Sequence, residues 1–225
     1  MSLILEDVHF AYGDRRFSLS IGHLGIEQGE SVALVGPSGS GKTTLLNLIA
    51  GILTPERGRI RLGAHDLTAL GSQQRRRQRL SGVGMIFQSF ELLDYLDVRD
   101  NILLQARLAP GVTITPALEQ QARAIAEQLG LDDKWRRPIT ALSQGERQRV
   151  AACRALLLDP DLVLADEPTG NLDPANKQAV LDQLIAVCKA HDRILLTVTH
   201  DLSLLPFFDR VVDMATLLTE RVDVA

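Results

Sequence analysis

The residues best suited to chemistry form one continuous segment, in which three glycines precede a lysine and two threonines. The segment matches the phosphate-binding loop pattern G-x-x-x-x-G-K-S/T without a mismatch. Its glycines let the backbone curl closely around an anion, because no Cβ blocks the approach. The freed N–H groups then point at negative charge, the lysine adds a cation for the outer phosphates, and the first threonine hydroxyl suits a magnesium ion. The segment predicts a nucleoside triphosphate site formed by Gly36, Pro37, Ser38, Gly39, Ser40, Gly41, Lys42, Thr43 and Thr44.

Apolar stretches on both sides predict the elements that position this loop. Ser31–Val35 is typical of a buried strand, and Leu45–Ala50 predicts a helix that ends at Gly51. A strand, a glycine-rich turn and a helix together aim the helix N-terminus at a bound anion. A glycine-rich turn with a chance lysine is the alternative, and the agreement of pattern and flanks argues against it.

Two adjacent acids follow a second apolar strand, Leu162–Ala165. The strand would hold Asp166 beside the phosphate loop, where a carboxylate can bind magnesium directly or through water. Glu167, one residue further, points the other way and is suited to orient or deprotonate a water molecule. Paired acids at a strand end can also be ordinary solvated residues, but a phosphate loop upstream favours the first interpretation.

A few further positions gain meaning only in combination. Ser143 and Glu146 form a capping box at the start of a long helix, which is a complete structural explanation for both. Gly145 is not explained in this way, because glycine costs stability in a helical turn. A close approach of the backbone to a ligand would explain it. Gln88 and His200 each end a buried strand, and alone either side chain would be unremarkable.

Composition limits the kind of protein. The 225 residues are 45% hydrophobic, enough to bury a large core as one domain or as a domain with a subdomain. The formal net charge of −4, with basic residues spread along the chain, argues against nucleic-acid binding. No apolar run approaches the roughly 20 residues that span a bilayer, and the N-terminus does not resemble a signal peptide. Cys153 and Cys188 lack a paired spacing, which predicts buried thiols in a reducing cytosol.

The remaining pattern predicts an α/β fold with two additions. The N-terminal part combines short alternating strands, such as Phe17–Ile21, into an antiparallel β region. Residues from about 98 to 158 lack strand signals and predict an inserted helical region, with a clear helix over Thr115–Leu129. Strands return at Ile194–Thr199 and Asp209–Asp213.

The most basic segment is Gln73–Arg79. Such a charge run is usually the solvated face of a helix, and that is the favoured interpretation. The alternative is a docking surface for an acidic or membrane-bound partner.

In their order along the chain, these motifs resemble those of the ATP-binding subunit of ATP-binding cassette (ABC) transporters, over nearly the whole length. The phosphate loop is similar to the family's Walker A motif, and Leu164–Glu167 is similar to its Walker B motif. The stretch Ala165–Asp173 is similar to the corresponding stretch in one branch of the family, which serves lipoprotein release, macrolide or peptide export and cell division. The other matches are the Q-loop glutamine Gln88, the signature segment Leu142–Glu146, the D-loop Asn171–Asp173, the switch histidine His200 and the adenine-stacking aromatic Tyr12.

The resemblance implies an α/β P-loop NTPase fold, with a RecA-like core, an N-terminal antiparallel β subdomain and an inserted α-helical subdomain. A single ABC ATPase domain would extend over residues 1–225. Residues 1–88 and 159–225 would form the core with its antiparallel region, and residues 89–158 would form the helical signature subdomain.

The resemblance also implies an ATPase that uses ATP and Mg²⁺. Lys42 and the backbone of its loop would bind the phosphates. The magnesium ligands would be Thr43, Gln88 and Asp166, and Glu167 would orient or deprotonate the attacking water.

In this family two subunits close head to tail, with ATP between the phosphate loop of one and the signature of the other. Ser143 and Gly145 would therefore complete the site of a second copy. His200 would contact the γ-phosphate, and Asp173 would link the two sites across the dimer.

The implied partner is a separate integral membrane subunit, and no nucleic acid is expected. The segment Phe90–Asn101, directly after Gln88, would be its contact, with ordinary packing of the helical insert as the alternative. The chain would lie peripherally at the cytoplasmic face of the inner (plasma) membrane and would be cytosolic when isolated.

The sequence departs from the family pattern in two places. The signature is L-S-Q-G-E instead of L-S-G-G-Q, so Gln144 replaces a glycine, and Met214–Thr216 stands where an Asp-Gly turn is usual.

The main alternative function is a soluble ABC-type ATPase that acts on DNA or another macromolecule, but such proteins carry long coiled-coil or zinc-bearing inserts that this chain lacks. A GTPase would need an N-K-x-D motif, the signature has no role in a small-molecule kinase, and Glu167 and His200 argue against a non-hydrolysing regulatory subunit.

Overall fold

The computed structural model describes residues 1–13, 17–170, 172 and 174–219, and within them two sheets are joined by helices. The strands are β1 (Ser2–Ala11), β2 (Ser18–Glu27), β3 (Ser31–Val35), β4 (Arg57–Leu62), β5 (His65–Asp66), β6 (Val83–Ile86), β7 (Leu162–Asp166), β8 (Ile194–Val198) and β9 (Arg210–Asp213). The α-helices are α1 (Lys42–Ile49), α2 (Ser72–Gly82), α3 (Val98–Ile102), α4 (Leu104–Leu108), α5 (Pro116–Gln128), α6 (Gln144–Leu156), α7 (Pro174–Ala190) and α8 (Met214–Leu217). Short 3-10 helices cover Asp132–Lys134, Ile139–Ala141 and Leu202–Phe207.

The smaller sheet is antiparallel, in the order β2-β1-β4-β5. Its central strand β1 alternates buried and partly exposed residues, as a half-buried strand does. The register between β1 and β4 shifts between Glu6 and His9, and Asp7 there has a left-handed backbone with φ of 49°. A Cβ added at Gly58 on β4 would lie 2.3 Å from the Asp7 carbonyl oxygen, so this irregular pairing requires glycine.

The larger sheet is parallel, in the order β6-β7-β8-β3-β9. Its central strands are continuous apolar runs, which suits strands covered on both faces. Because parallel strands end at one edge, the segments after β3, β6, β7 and β8 meet there. This edge therefore collects the phosphate loop, Gln88, Glu167 and His200.

The helical region lies between β6 and β7. Helix α5 begins at the predicted cap, where the Thr115 hydroxyl accepts the Leu118 N–H at 3.2 Å. The fully buried Asn101 accepts the Leu93 N–H at 2.8 Å and donates to the carbonyl oxygens of Leu93 and Asp97, both at 3.1 Å. This one side chain therefore fixes the segment that leads into α3.

The predicted α/β class, with an antiparallel sheet and an inserted helical region, is confirmed. Helix α1 begins at Lys42, three residues before the predicted start at Leu45, because its first turn is polar and lacks the apolar period. The β4–β5 hairpin was not predicted, since β5 is only two residues long. At the end of the chain, β9 pairs with β3 and continues directly into α8 instead of an Asp-Gly turn.

The basic segment lies on α2, as predicted. Arg76 and Arg77 are exposed, whereas Arg79 is half-buried and donates to the Gly51 carbonyl oxygen at 3.2 Å. Burial lowers the pKa of Arg79, and the neighbouring Arg76 adds to that effect. The run is therefore a solvated face only in part.

The two cysteines, Cys153 and Cys188, are free and buried, as predicted. Burial raises the pKa of Cys188 to about 12, so its thiol is unreactive at neutral pH. Across the described residues, no cluster of three or more His, Cys, Asp or Glu side chains could hold a metal. In the same part of the chain, no helix has both the length and the apolar character needed to cross a membrane.

Asp209 joins the amino ends of β3 and β9 to α7. Its Oδ1 accepts from Lys189 Nζ at 2.6 Å, and its Oδ2 accepts from the Ser31 N–H at 2.9 Å and from Ser31 Oγ at 2.6 Å. Hydrogen bonds from Lys189 and Ser31 lower the pKa of Asp209 to about 2. The carboxylate is therefore stabilised in its ionised form by folding.

Replacing Asp209 with asparagine is expected to lower the free energy of unfolding at pH 7 by about 1 kcal/mol, since charge-assisted hydrogen bonds are lost and the partly exposed site is screened by solvent. A carboxylate with a lowered pKa stabilises the fold fully only above its unfolded pKa of about 3.9. The difference from the parent should therefore shrink as the pH falls from about 4 towards 2. Urea unfolding at several pH values measures this difference in the free energy of unfolding. Asp133→Asn is the control, because the hydrogen bond that Asp133 accepts comes from the adjacent Lys134 and not from a distant segment, and an equal loss in both variants would contradict the assignment.

Candidate functional site

A cleft of about 410 Å³ opens at the carboxyl edge of the parallel sheet. Phe17 and Val198 contribute to its walls and were not predicted, because an apolar residue at a strand end carries no sequence signal for a site. Asn171 and Asp173 lie outside the described residues. The predicted residues that line the cleft are Tyr12, Ser38, Gly39, Gly41, Lys42, Thr43, Thr44, Gln88, Asp166 and Glu167.

The phosphate loop combines a lysine that is held in place with the N–H groups of a helix start. Lys42 Nζ donates to the carbonyl oxygens of Gly36 at 2.8 Å and Pro37 at 2.9 Å, which fixes the ammonium group beside the loop backbone. Helix α1 starts at this lysine; its N-cap Gly41 offers no side-chain cap, and its first turn has no acid. Ser40 Oγ is buried and has no hydrogen-bond partner among the described residues. Uncapped N–H groups at a helix start and an unsatisfied hydroxyl fit an anionic phosphate.

Two glycines of the loop lie against residues from distant parts of the chain. A Cβ added at Gly41, where φ is 94°, would lie 2.8 Å from Phe17 Cζ and 3.0 Å from Leu19 Cδ1. A Cβ added at Gly36 would lie 3.0 Å from Cβ of the fully buried Met214. The loop is therefore held between the antiparallel sheet and α8. Met214 was not predicted as a support for the site, although its position had been singled out as a departure from the family pattern.

Thr43 and Asp166 bring two oxygen atoms together at one side of the loop. Thr43 Oγ1 donates to Asp166 Oδ2 at 3.0 Å. Adjacent ligands of an octahedral Mg²⁺, each at about 2.1 Å, are about 3.0 Å apart, so the two oxygens fit this ion without moving. Burial raises the pKa of Asp166, the Thr43 hydrogen bond opposes that rise, and the nearby Glu167 charge adds to it. A bound cation would favour the ionised carboxylate.

Glu167 turns away from Asp166 and meets His200. Its backbone is left-handed, with φ of 46°, and its N–H donates to the Val198 carbonyl oxygen at 3.0 Å. Its Oε1 lies 3.0 Å from His200 Nδ1. The His200 side chain is 65% exposed, whereas that of Glu167 is 21% exposed. A left-handed non-glycine residue costs about 1–3 kcal/mol, so the surrounding sheet holds Glu167 in a strained position.

Tyr12 lies at the rim of the cleft. Its hydroxyl is 3.3 Å from Thr44 Oγ1, and its ring meets Phe10 edge to face at a centroid distance of 4.9 Å. The side chain remains 40% exposed. A fixed, partly exposed aromatic ring can stack on a planar base.

The signature segment lies elsewhere. The predicted capping box is present: the Ser143 N–H donates to Glu146 Oε2 at 2.8 Å, and the Glu146 N–H donates to Ser143 Oγ at 3.3 Å. A Cβ added at Gly145 would come no closer than 3.7 Å, to Nη1 of Arg149. The packing of this chain therefore does not require glycine there. Neither Ser143 nor Gly145 lines the cleft.

The turn after Gln88 is strained and held from one side. Phe90 and Glu91 both have left-handed backbones, with φ of 64° and 48°. The buried Arg154 of α6 donates from Nη2 to the Phe90 carbonyl oxygen at 2.7 Å and from Nη1 to that of Glu91. A Cβ added at Gly170 would lie 3.5 Å from both Gln88 Nε2 and Glu167 Oε2, so both side chains approach Gly170.

A groove of about 210 Å³ lies beside this turn. Its lining is mostly apolar, with arginines at two places, and Leu108 is 52% exposed. The lining residues are Arg79, Leu80, Val83, Met85, Phe87, Glu91, Leu104, Gln105, Leu108 and Arg154.

Comparison with known proteins gives a consistent result. The family model described as ABC transporter matches residues 19–170. The lipoprotein-releasing system ATP-binding protein LolD of Pseudomonas fluorescens is 40% identical over 191 residues, which cover 85% of this chain and 83% of that protein. The dimeric structure of MJ0796, a bacterial ABC transporter cassette, has a TM-score of 0.81 at 28% identity and covers 94% of this chain and 93% of that one. A post-hydrolysis state of MJ0796 bound to ADP and Pi has a TM-score of 0.81 at 25% identity and covers 99% of both chains.

The fold and the cleft together define a P-loop nucleotide-binding protein. The chain belongs to the ABC transporter family and is of its ATP-binding, ATP-hydrolysing type. The family, fold class and enzyme class expected from the sequence are thereby confirmed.

Replacing Gly41 with alanine is expected to destabilise the protein by about 2–4 kcal/mol, since strain at a positive φ adds to overpacking against Phe17. Gly39→Ala is the matched control: φ there is 80°, but an added Cβ meets nothing within 4 Å. Thermal unfolding of both variants should show the larger loss for Gly41→Ala, with part of it restored by Phe17→Ala. Equal losses would show that close packing does not hold the loop.

Proposed function

We propose that two copies of this chain close head to tail around two ATP molecules, hydrolyse them and so drive a separate integral membrane subunit. The observation that carries the proposal is the presence of two half-sites that do not meet within one chain. The phosphate loop lines a cleft, and Ser143 and Gly145 lie outside it at a helix start. Among the described residues, the nearest atom to a Cβ added at Gly145 would be Arg149 Nη1, at 3.7 Å, which leaves room for the phosphates of a second copy's ATP.

Phosphate binding falls to the loop. The N–H groups from Ser38 to Thr44, the start of α1 and the Lys42 ammonium offer fixed positive charge where the phosphates would lie. Lys42 is already held by two carbonyl oxygens, so little ordering is needed when ATP binds. Tyr12 would stack on the adenine at the rim.

Magnesium would be held by the Thr43 hydroxyl, the Asp166 carboxylate and the Gln88 side chain, together with phosphate oxygens of the nucleotide. The 3.0 Å separation of the Thr43 and Asp166 oxygens supports this set. When bound, the ion would neutralise negative charge on the transferred phosphoryl group.

Hydrolysis would depend on Glu167. Its carboxylate would accept a hydrogen bond, and then the proton, from the water that attacks the γ-phosphorus. His200, which contacts Glu167 Oε1, would orient that carboxylate and reach the γ-phosphate from its exposed position. Gln88 lies close enough to sense the same region.

Dimer closure would bring the two half-sites together. A pair of identical copies makes such an interface isologous, so each ATP would lie between the phosphate loop of one copy and Ser143 and Gly145 of the other. Asp173 would link the two sites. The dimeric MJ0796 cassette, similar in fold over most of both chains, supports the formation of a dimer.

The membrane subunit would dock on the groove beside the turn after Gln88, which α4 helps to line, and on the segment Phe90–Asn101, where Tyr95 is 82% exposed. Similarity to LolD, a lipoprotein-releasing system ATP-binding protein, supports a task in the branch for lipoprotein release, export or cell division. The chain would then lie peripherally at the cytoplasmic face of the inner membrane. Residues 1–225 would act as one ABC ATPase domain, with 89–158 as its signature subdomain and 1–88 and 159–225 as its core.

Replacing Glu167 with glutamine is expected to retain ATP binding but slow turnover by about a hundredfold or more, since the general base is lost. ATP should then trap a dimer that elutes ahead of the monomer in size-exclusion chromatography, while ADP should not. Glu127→Gln, which alters an exposed glutamate of α5, is the control and should behave as the parent. Turnover by Glu167→Gln at the parent rate would refute the role of Glu167.

Replacing Lys42 with alanine is expected to weaken ATP binding about 10- to 100-fold, because a charged donor to the phosphates is removed. Isothermal titration calorimetry measures the affinity directly. Lys189→Ala, at the amino ends of the strands, removes a lysine far from the cleft and should leave the affinity unchanged. Equal affinities of Lys42→Ala and the parent would count against the phosphate loop as the ATP site.

A further inference from the structure

Arg154 occupies a position where three parts of the molecule meet. It lies in the last turn of α6, and its guanidinium donates to the turn after Gln88. It also forms part of the wall of the groove beside that turn. It is only 8% exposed, and burial lowers its pKa. A guanidinium remains charged in proteins, so this charge is buried because its hydrogen bonds compensate for it.

The two carbonyl oxygens that Arg154 holds belong to the strained residues Phe90 and Glu91. Two successive left-handed residues without glycine are unfavourable in isolation and persist only where their surroundings hold them. A planar guanidinium fork suits this task, because its two N–H groups reach both carbonyl oxygens at once. The shape of the Gln88 turn therefore depends on a side chain of the signature helix.

The same end of α6 is pressed against β6. A Cβ added at Gly84 would lie 2.4 Å from the Ala155 carbonyl oxygen, so helix and strand backbones touch there. Ser143, at the other end of α6, lies about 16 Å along the helix axis from Arg154. A small displacement of the turn, passed to the last turn of α6, would therefore become a larger displacement at Ser143.

We propose that Arg154 is a positioning residue for the ATPase reaction, which ties the turn after Gln88 to the signature helix so that the turn and the Ser143 end of α6 move as one unit. The inference rests on the proposed function. In that function the γ-phosphate of ATP and the membrane subunit in the groove would both lie beside this turn, and either could act through it on the half-site formed by Ser143 and Gly145. Arg154 itself touches neither half-site.

The test compares Arg154→Met, which keeps the apolar stem and removes the donors, with the parent chain. Nucleotide affinity should be unchanged within about twofold when ADP is titrated in a calorimeter, since the phosphate loop is untouched. The kcat for ATP should fall about tenfold with little change in KM, and in a Glu167→Gln background the ATP-trapped dimer should weaken by a similar factor. Arg123→Met, on the exposed side of α5, is the matched control and should match the parent.

A second substitution, Glu91→Gly, distinguishes two roles of Arg154: linking the turn to α6 and holding the turn in its shape. Glu91→Gly lets residue 91 adopt the left-handed backbone freely. Added to Arg154→Met, it should leave kcat and dimer formation low, because the link to α6 is still missing. Recovery to within about twofold of the parent would show that Arg154 only shapes the turn, and would overturn the proposal.

Two other results would also overturn it: parent-like kcat and dimer formation in Arg154→Met, or a loss of ADP affinity in proportion to kcat in a folded variant. If Arg154→Met does not fold, Arg154→Gln, too short to reach both carbonyl oxygens, takes its place with the same expected results. A parent that does not hydrolyse ATP refutes the proposed function and this inference with it, whereas a hydrolysing parent matched by the variant refutes this inference alone.

Discussion

The close approach of the phosphate loop to its surroundings is the constraint on which the rest of the structure depends. Gly41 leaves no room for a Cβ beside Phe17 and Leu19, and Gly36 leaves little beside Met214. The loop thus touches the antiparallel sheet on one side and α8, which follows the edge strand β9 of the parallel sheet, on the other. The two sheets, which share a hydrophobic core, therefore also approach each other where the ligand would bind, and the candidate site is part of the junction between them.

The charged and polar side chains at this junction are held in place by hydrogen bonds and an ion pair within the chain itself. Lys42 is fixed by backbone carbonyl oxygens, Thr43 is hydrogen-bonded to Asp166, and Glu167 is paired with His200. In the proposed function, none of these groups would need to travel far to meet a phosphate, a cation or a water molecule, which would lower the entropic cost of assembling the reacting groups. The strain at Glu167 is a cost of this arrangement, and it is borne by the buried strands around it.

Much of this could be predicted from the sequence, and the reasons are local. The phosphate loop, the strand before Asp166 and the caps at Thr115 and Ser143 depend on neighbouring residues, whose pattern is visible without a structure. Fold class and motif order follow from them.

Contacts between distant segments could not be predicted. Nothing near Met214 indicates that it packs on Gly36, and nothing near Arg154 indicates that it holds two carbonyl oxygens some sixty residues away. Positive φ angles at Phe90 and Glu91 were equally hidden, because neither is a residue type that favours them. Local propensity has no access to such features, since they exist only after the chain has folded.

The packing of Met214 on the phosphate loop also has a consequence for the order of events during synthesis. The phosphate loop is translated early, but Met214, which packs against Gly36, follows about 170 residues later. At usual elongation rates that takes roughly 10–30 s. During that interval β3 lacks its β9 neighbour and Gly36 lacks its contact with Met214. A nascent chain therefore carries the phosphate loop before the residues that pack against Gly36 and β3 exist, so we expect the loop to reach its folded shape only after Met214 has been translated.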